Sequence, residues 1–156
     1  MAPSKTALTP LARLIGPANE RFTNSELWWS PNHPFKSSLT GASAAQFAAS
    51  YETATNKQWT QPLGFSHALF EVATNVLKRT KDIDDREGIR NAIASTATDT
   101  IVGRVEWGKG PVKNVAKTPL VGGQWVKGKK FKYDLVVVSN KAAPSIPLGG
   151  KLALIS

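Results

Sequence analysis

The chain has 156 residues, 41% of them hydrophobic and 20% charged, with 20 Lys and Arg against 11 Asp and Glu and no cysteine. That length suits one ordinary domain, the composition excludes a collagen-like, coiled-coil or wholly disordered chain, and no apolar run approaches the length that spans a bilayer. Without cysteine there is no disulfide framework and no thiolate chemistry. A net charge of +9 raises nucleic acid as a partner. The basic residues are spread along the chain and no recognised module accompanies them, so no specific nucleic-acid partner is expected, only salt-sensitive attraction.

In chain order, Leu8, Leu11, Leu14 and Ile15 predict a short helix, with Thr9 as cap and Pro10 at its first position, ended by Gly16-Pro17. Ser25 to Ser30 reads as a strand leading into the segment from Pro31 to Pro34, where the prolines enforce an extended path. On such a strand Trp28 and Trp29 point to opposite faces. One reading makes them a core and a partly exposed tryptophan, with His33 an exposed loop histidine. The other makes them an aromatic wall beside a ligand, since pockets favour aromatic side chains with a few polar groups. Ser43 is a cap for a helix from Ala44 to Thr55, with Phe47, Ala48 and Tyr51 on one face. Residues 58–64 read as a loop held extended before Pro62. Gln61, Phe65, Ser66 and His67 then stand at the mouth of the next helix, where free N–H groups favour anionic ligand groups.

That helix carries Leu69, Val72, Ala73, Val76 and Leu77 as its apolar face, with Lys78, Arg79 and Lys81 at its negative end. Asp84 or Asp85 caps a further helix whose face is Ile89, Ala92 and Ile93. Thr100 to Gly103 reads as a short extended segment that Arg104 to Trp107 continue. After a turn at Gly108 to Pro111, residues 124–126 and 133–138 read as two strands joined by a turn at Lys127 to Lys130. The run from Leu135 to Val138 predicts burial on both faces of the second strand. Residues 141–156, with two prolines and Gly149-Gly150, read as a loose tail in which Leu152, Leu154 and Ile155 reach for an apolar seat.

No catalytic constellation accompanies these elements. The two histidines lack metal-ligand spacing, there is no phosphate loop, and Asp82, Asp84 and Asp85 lack the glycine and glutamate of a calcium loop. Neither an enzyme nor a cofactor or metal is expected.

The helix pair, its acidic link and the segment Asp99-Thr100-Ile101-Val102-Gly103-Arg104-Val105-Glu106-Trp107 resemble the late part of leucine/isoleucine/valine-type substrate-binding proteins of ABC importers. In that family a D-T-[IV]-x-G-x-[VL]-x-[WF] segment follows such a helix pair. The resemblance covers roughly residues 25–140 and only the C-terminal part of the family's usual length. It implies an α/β chain with a partial type I periplasmic-binding-protein fold, its helices packed on short strands, plus a C-terminal β-hairpin. Residues 1–24 would be a peripheral remnant of the second lobe, 25–35 an inter-lobe crossover strand, and 36–117 part of the first lobe. Residues 118–140 would be a crossover and terminal hairpin of the second lobe, and 141–156 a tail.

The function implied is binding of a small-molecule solute, an organic acid, amide or amino acid, in the inter-lobe cleft, for delivery to the membrane permease of the importer. Trp28, Trp29, Gln61, Phe65 and His67 fall near that cleft by resemblance. The family is periplasmic, whereas the first residues carry no continuous apolar core of a secretory signal. We therefore expect a truncated, cytoplasmic product if expressed as written, one prone to self-association. A basic nucleic-acid-binding protein, or a non-functional gene fragment, is the alternative.

Overall fold

A computed structural model of the chain describes residues 24–110 and 112–153. The helix expected around Leu8 to Ile15, and Leu154 and Ile155, lie outside the described residues.

The described residues mix helices with antiparallel strands. In order they form β1 (Asn24–Leu27), α1 (Ala44–Thr55), α2 (Gln61–Arg79), α3 (Arg86–Ala94), β2 (Ala97–Thr100), β3 (Gly103–Glu106), a 3-10 turn (Trp107–Lys109), β4 (Val121–Lys127) and β5 (Tyr133–Ser139). β1, β4 and β5 make one antiparallel sheet in that order; β2 and β3 make a separate hairpin. Among the described residues no helix is long and apolar enough to cross a membrane.

Local chemistry accounts for most boundaries. Ser43 Oγ accepts the Gln46 N–H at 3.2 Å and the Gln46 side chain accepts the Ser43 N–H at 2.9 Å, a reciprocal cap on α1. Asn56 closes that helix in the left-handed region at φ 53°, which asparagine tolerates better than most residues. Asp85, the second of the two expected caps, accepts the Glu87 N–H at 3.1 Å and starts α3.

Several expectations are corrected. Gln61 to Gly64 are helical, not loop: Pro62 sits in the first turn of α2, where its missing N–H removes no helix bond. β1 ends at Leu27, and the chain bends at Trp28 rather than running extended to Ser30. Thr100 to Trp107 is not one strand. Residues 97–106 fold back as a hairpin pairing Thr100 with Gly103. Gly103 has φ +105°, a value L side chains rarely adopt.

The apolar face expected for α2 holds only in part: Val76 is buried and Val72 is half-buried, as expected. Gly64, Ala68, Glu71 and Val76 are buried, while Leu69 and Leu77 are exposed. β5 is buried on one face only, through Leu135 and Val137; Val136 and Val138 are half-buried. The tail is docked rather than loose. Ile146 is fully buried, and the N–H groups of Gly149 and Gly150 both reach the Val137 carbonyl, at 2.8 and 3.1 Å.

Two hydrophobic clusters result. The first joins Trp29, Ala44, Ala48, Ala68, Ile101, Val102 and Val105. Small residues on α1 and α2 let both helices approach the Trp29 indole closely. The second joins Leu27, Val121, Leu135, Val137, Ala143 and Ile146, and Trp59 packs against both. The residues of the D-T-I-x-G-x-V-x-W segment have structural work here. Thr100 Oγ1 donates to the Gly103 carbonyl at 2.6 Å across the turn, and Ile101 and Val105 enter the first cluster. Asp99 pairs with Arg104 at 3.3 Å on the outer side.

Candidate functional site

The end of β1 and the bend that follows it deliver three consecutive residues to different surroundings. Leu27 and Trp29 are fully buried, and Trp28 between them is 40% exposed. The exposed tryptophan is held from α2. Gln61 Oε1 accepts the Trp28 N–H at 2.7 Å, and Gln61 Nε2 donates to the Glu26 carbonyl at 3.1 Å. One side-chain amide thus makes the two bonds, on either side of Leu27, that a residue of a neighbouring parallel strand would make. Sheet edges left open are templates for unwanted pairing; here Gln61 closes part of the edge of β1.

Phe65 lies one helical turn beyond Gln61 and meets Trp28 edge-to-face, with ring centroids 6.1 Å apart and planes at 83°, a favoured aromatic geometry. Trp28, Gln61 and Phe65 therefore form one surface corner where β1 meets the first turns of α2. The corner offers aromatic area, while the donor and acceptor of Gln61 are already engaged with backbone. Glu26, exposed on the same stretch of β1, adds a carboxylate.

Trp29 and His67 do not join this corner. The Trp29 indole N–H donates to the Ile101 carbonyl at 3.1 Å, and its ring packs edge-to-face on Phe47 and Trp59 at 6.2 and 5.9 Å. It is a core residue, and as a ligand contact it is withdrawn. His67 lies in the second turn of α2 rather than at its mouth. Its Nε2 is 2.7 Å from Ser37 Oγ and its ring stacks obliquely on Phe47 at 4.5 Å. Those contacts tie α2 to the 37–43 turn and the first cluster.

Two inward-facing polar residues escaped the sequence reading. Glu71, 1% exposed, accepts from the Ser38 N–H, from Ser38 Oγ and from the Ile101 N–H, the last at 2.9 Å. A glutamate amid apolar spacing gives no signal of that role until the turn at Ile101 is known. His33, expected in an exposed loop, is 3% exposed. Its Nδ1 accepts the Ser30 N–H at 3.1 Å, so the neutral ring carries its proton on Nε2, which finds no acceptor among the described residues. Burial lowers its pKa from 6.5 to about 4. The bracketing prolines and Ser30 three residues earlier were the available sequence signal of a fixed tight turn.

Two broad open depressions are present, the first of which reaches Ser25 and Glu26 beside the aromatic corner. One, of about 600 Å³, runs over the sheet beside Leu120, Gly122, Val138 and Leu152. The other, of about 880 Å³, flanks α1 beside Thr40, Gln46 and Ser50. Comparison of the chain with protein-family models, with curated proteins and with solved structures finds no match.

Proposed function

We propose that the chain is a solute-binding component of an ABC-type importer, and that Trp28 and Phe65 belong to the wall on which a small organic acid, amide or amino acid rests. The observation that carries this reading is the corner itself, where Trp28, in the bend after β1, and Phe65 of α2 meet as an exposed, edge-to-face aromatic pair held by the Gln61 amide. Apolar pockets with a few convergent polar groups are the usual form of a small-molecule site. The resemblance of residues 25–140 to leucine/isoleucine/valine-type binding proteins supports the same reading. It also carries the finer fold proposal, a partial type I periplasmic-binding-protein fold in which β1 belongs to the inter-lobe crossover and β4 and β5 form the terminal hairpin of the second lobe.

In such proteins two lobes close around the solute, and a permease then recognises the closed form. A single corner cannot enclose a solute, so tight binding is expected only when a second lobe closes over it. The test grafts residues 25–140 in place of the matching segment of a two-lobed binding protein of that family. Calorimetric titration with amino acids, small amides and organic acids then follows. Binding that Trp28→Ala and Phe65→Ala both weaken supports the proposal; binding indifferent to both overturns it.

A further inference from the structure

α2 has two unlike faces. Its inner face carries Gly64, Ala68 and Glu71 into the first cluster. Its outer face carries Leu69, Phe70, Ala73 and Leu77, with Leu69 72%, Phe70 68% and Leu77 52% exposed. From Gln61 to Leu77 the ionisable side chains are His67 and Glu71, and both are hydrogen-bonded inward. The outer face of more than four turns is therefore without charge, on a chain of net charge +9. A helix facing water normally presents a polar face, and contiguous exposed apolar side chains mark an interaction surface.

We propose that a second copy of this chain covers the outer face of α2, as an antiparallel helix pair related by a two-fold axis through Ala73. The inference does not depend on the solute-binding reading. Its ground is the register of the strip. Leu69 stands four residues before Ala73 and Leu77 four residues after it, so both lie on the Ala73 row of the helix. A two-fold axis at Ala73 sets each Leu69 against the second copy's Leu77, and the same patch serves both copies. Alanine at the crossing allows close approach of the two helices, at the lower end of the roughly 8–10 Å range of helix packing.

Charge selects this occupant and this direction. Lys78, Arg79 and Lys81 follow the strip at one end only. Antiparallel pairing carries the two Arg79 positions to opposite ends, about 18 Å apart along the pair at 1.5 Å per residue. That exceeds the roughly 8 Å screening length at physiological salt. Parallel pairing would set the basic ends side by side. An anionic membrane or an acidic protein would need cations along the strip itself, and between Gln61 and Leu77 there are none.

The chain contains no cysteine, so Ala73→Cys introduces a lone thiol on the axis, where two copies can form a disulfide. Ala45→Cys, exposed on α1, is the matched control. Under air oxidation the full-length Ala73→Cys chain is expected to form disulfide-linked dimer at least about tenfold faster than Ala45→Cys, because the pair holds the thiols at high effective concentration. Sedimentation velocity of the unaltered chain is expected to show a concentration-dependent dimer that Phe70→Glu abolishes with the helical circular dichroism retained. Equal crosslinking of the two cysteine variants, or a chain monomeric at every concentration, overturns the proposal, including the case in which a different polypeptide occupies the face.

Discussion

Glu71 accepts the N–H of Ile101 at 2.9 Å from the inner face of α2, and through Ser38 the same carboxyl group also holds the turn that precedes α1. Three donors converge on a side chain 1% exposed. Removing it leaves the Ile101 N–H buried without a partner, which is more damaging than the net worth of that bond, and releases the exposed Ser38 to water. Glu71→Leu is expected to destabilise the chain by about 3 kcal/mol. Glu71→Gln, which turns an acceptor into a donor facing donors, is expected to lose somewhat less. Urea unfolding followed by tryptophan fluorescence measures both. A Glu71→Leu midpoint equal to that of the parent chain would show the carboxyl group to be dispensable.

His33 makes stability depend on pH. Its folded pKa of about 4 lies below the unfolded 6.5, so the unfolded chain binds the proton first. The stabilisation is fully present above pH 6.5 and is lost as pH falls toward about 4, by up to roughly 3 kcal/mol. His33→Asn keeps an acceptor for the Ser30 N–H but does not titrate. Its unfolding midpoint should fall less than the parent's between neutral pH and pH 4.5, and parallel curves would contradict the assignment.

Gly64 lies against the Trp29 ring so closely that an added methyl group would collide with it. The usual gain from replacing a helical glycine by alanine is therefore reversed here. Gly64→Ala is expected to destabilise by about 1–3 kcal/mol through overpacking, read as a lower thermal midpoint. A raised midpoint would mean that the indole has room to move.

The two tryptophans should separate cleanly. Trp29→Ala removes a core side chain and is expected to cost about 4 kcal/mol of folding stability, whereas Trp28→Ala should cost about 1 kcal/mol. In the two-lobed graft, Trp28→Ala is expected to weaken solute binding by roughly 2 kcal/mol or more. Phe65→Ala should follow in the same direction. Gln61→Ala should act through the β1 edge, lowering stability together with affinity. Lys129→Ala and Lys130→Ala, at the β4–β5 turn, should leave affinity unchanged; Lys130 is engaged with Glu52 at 2.7 Å.

Where structure follows from neighbours in sequence, the residues announced it. The Ser43 cap, one of the two Asp84 and Asp85 candidates, and the lysine-rich turn between β4 and β5 fall where spacing placed them. The failures share a different cause. Apolar periodicity finds a helix but does not say which of two apolar faces is inward, and on α2 the buried face is the one with glycine, alanine and a glutamate. The turn at Ile101-Val102 reads as strand because β-branched residues rarely sit at a hairpin tip unless something covers it. Of the site residues, Trp28, Gln61 and Phe65 converge. Trp29 and His67 turn inward because the Ile101 carbonyl and the Phe47 and Trp59 rings receive the Trp29 indole and because Ser37 offers His67 a partner.

The hairpin tip itself has a temporal consequence. Ile101 and Val102 are buried, the N–H of Ile101 rests on Glu71, and its carbonyl rests on the Trp29 indole, 72 residues earlier. A short hairpin ordinarily closes by itself in microseconds. This one has an apolar tip at which Thr100 holds the Val102 N–H locally but both polar backbone groups of Ile101 are satisfied by distant side chains, so it gains its stability when the Trp29 and α2 scaffold is already assembled. During synthesis both of those partners leave the ribosome before the tip does. The β2–β3 hairpin is thus a late-closing latch on a preformed socket, and its formation reports when that socket is complete.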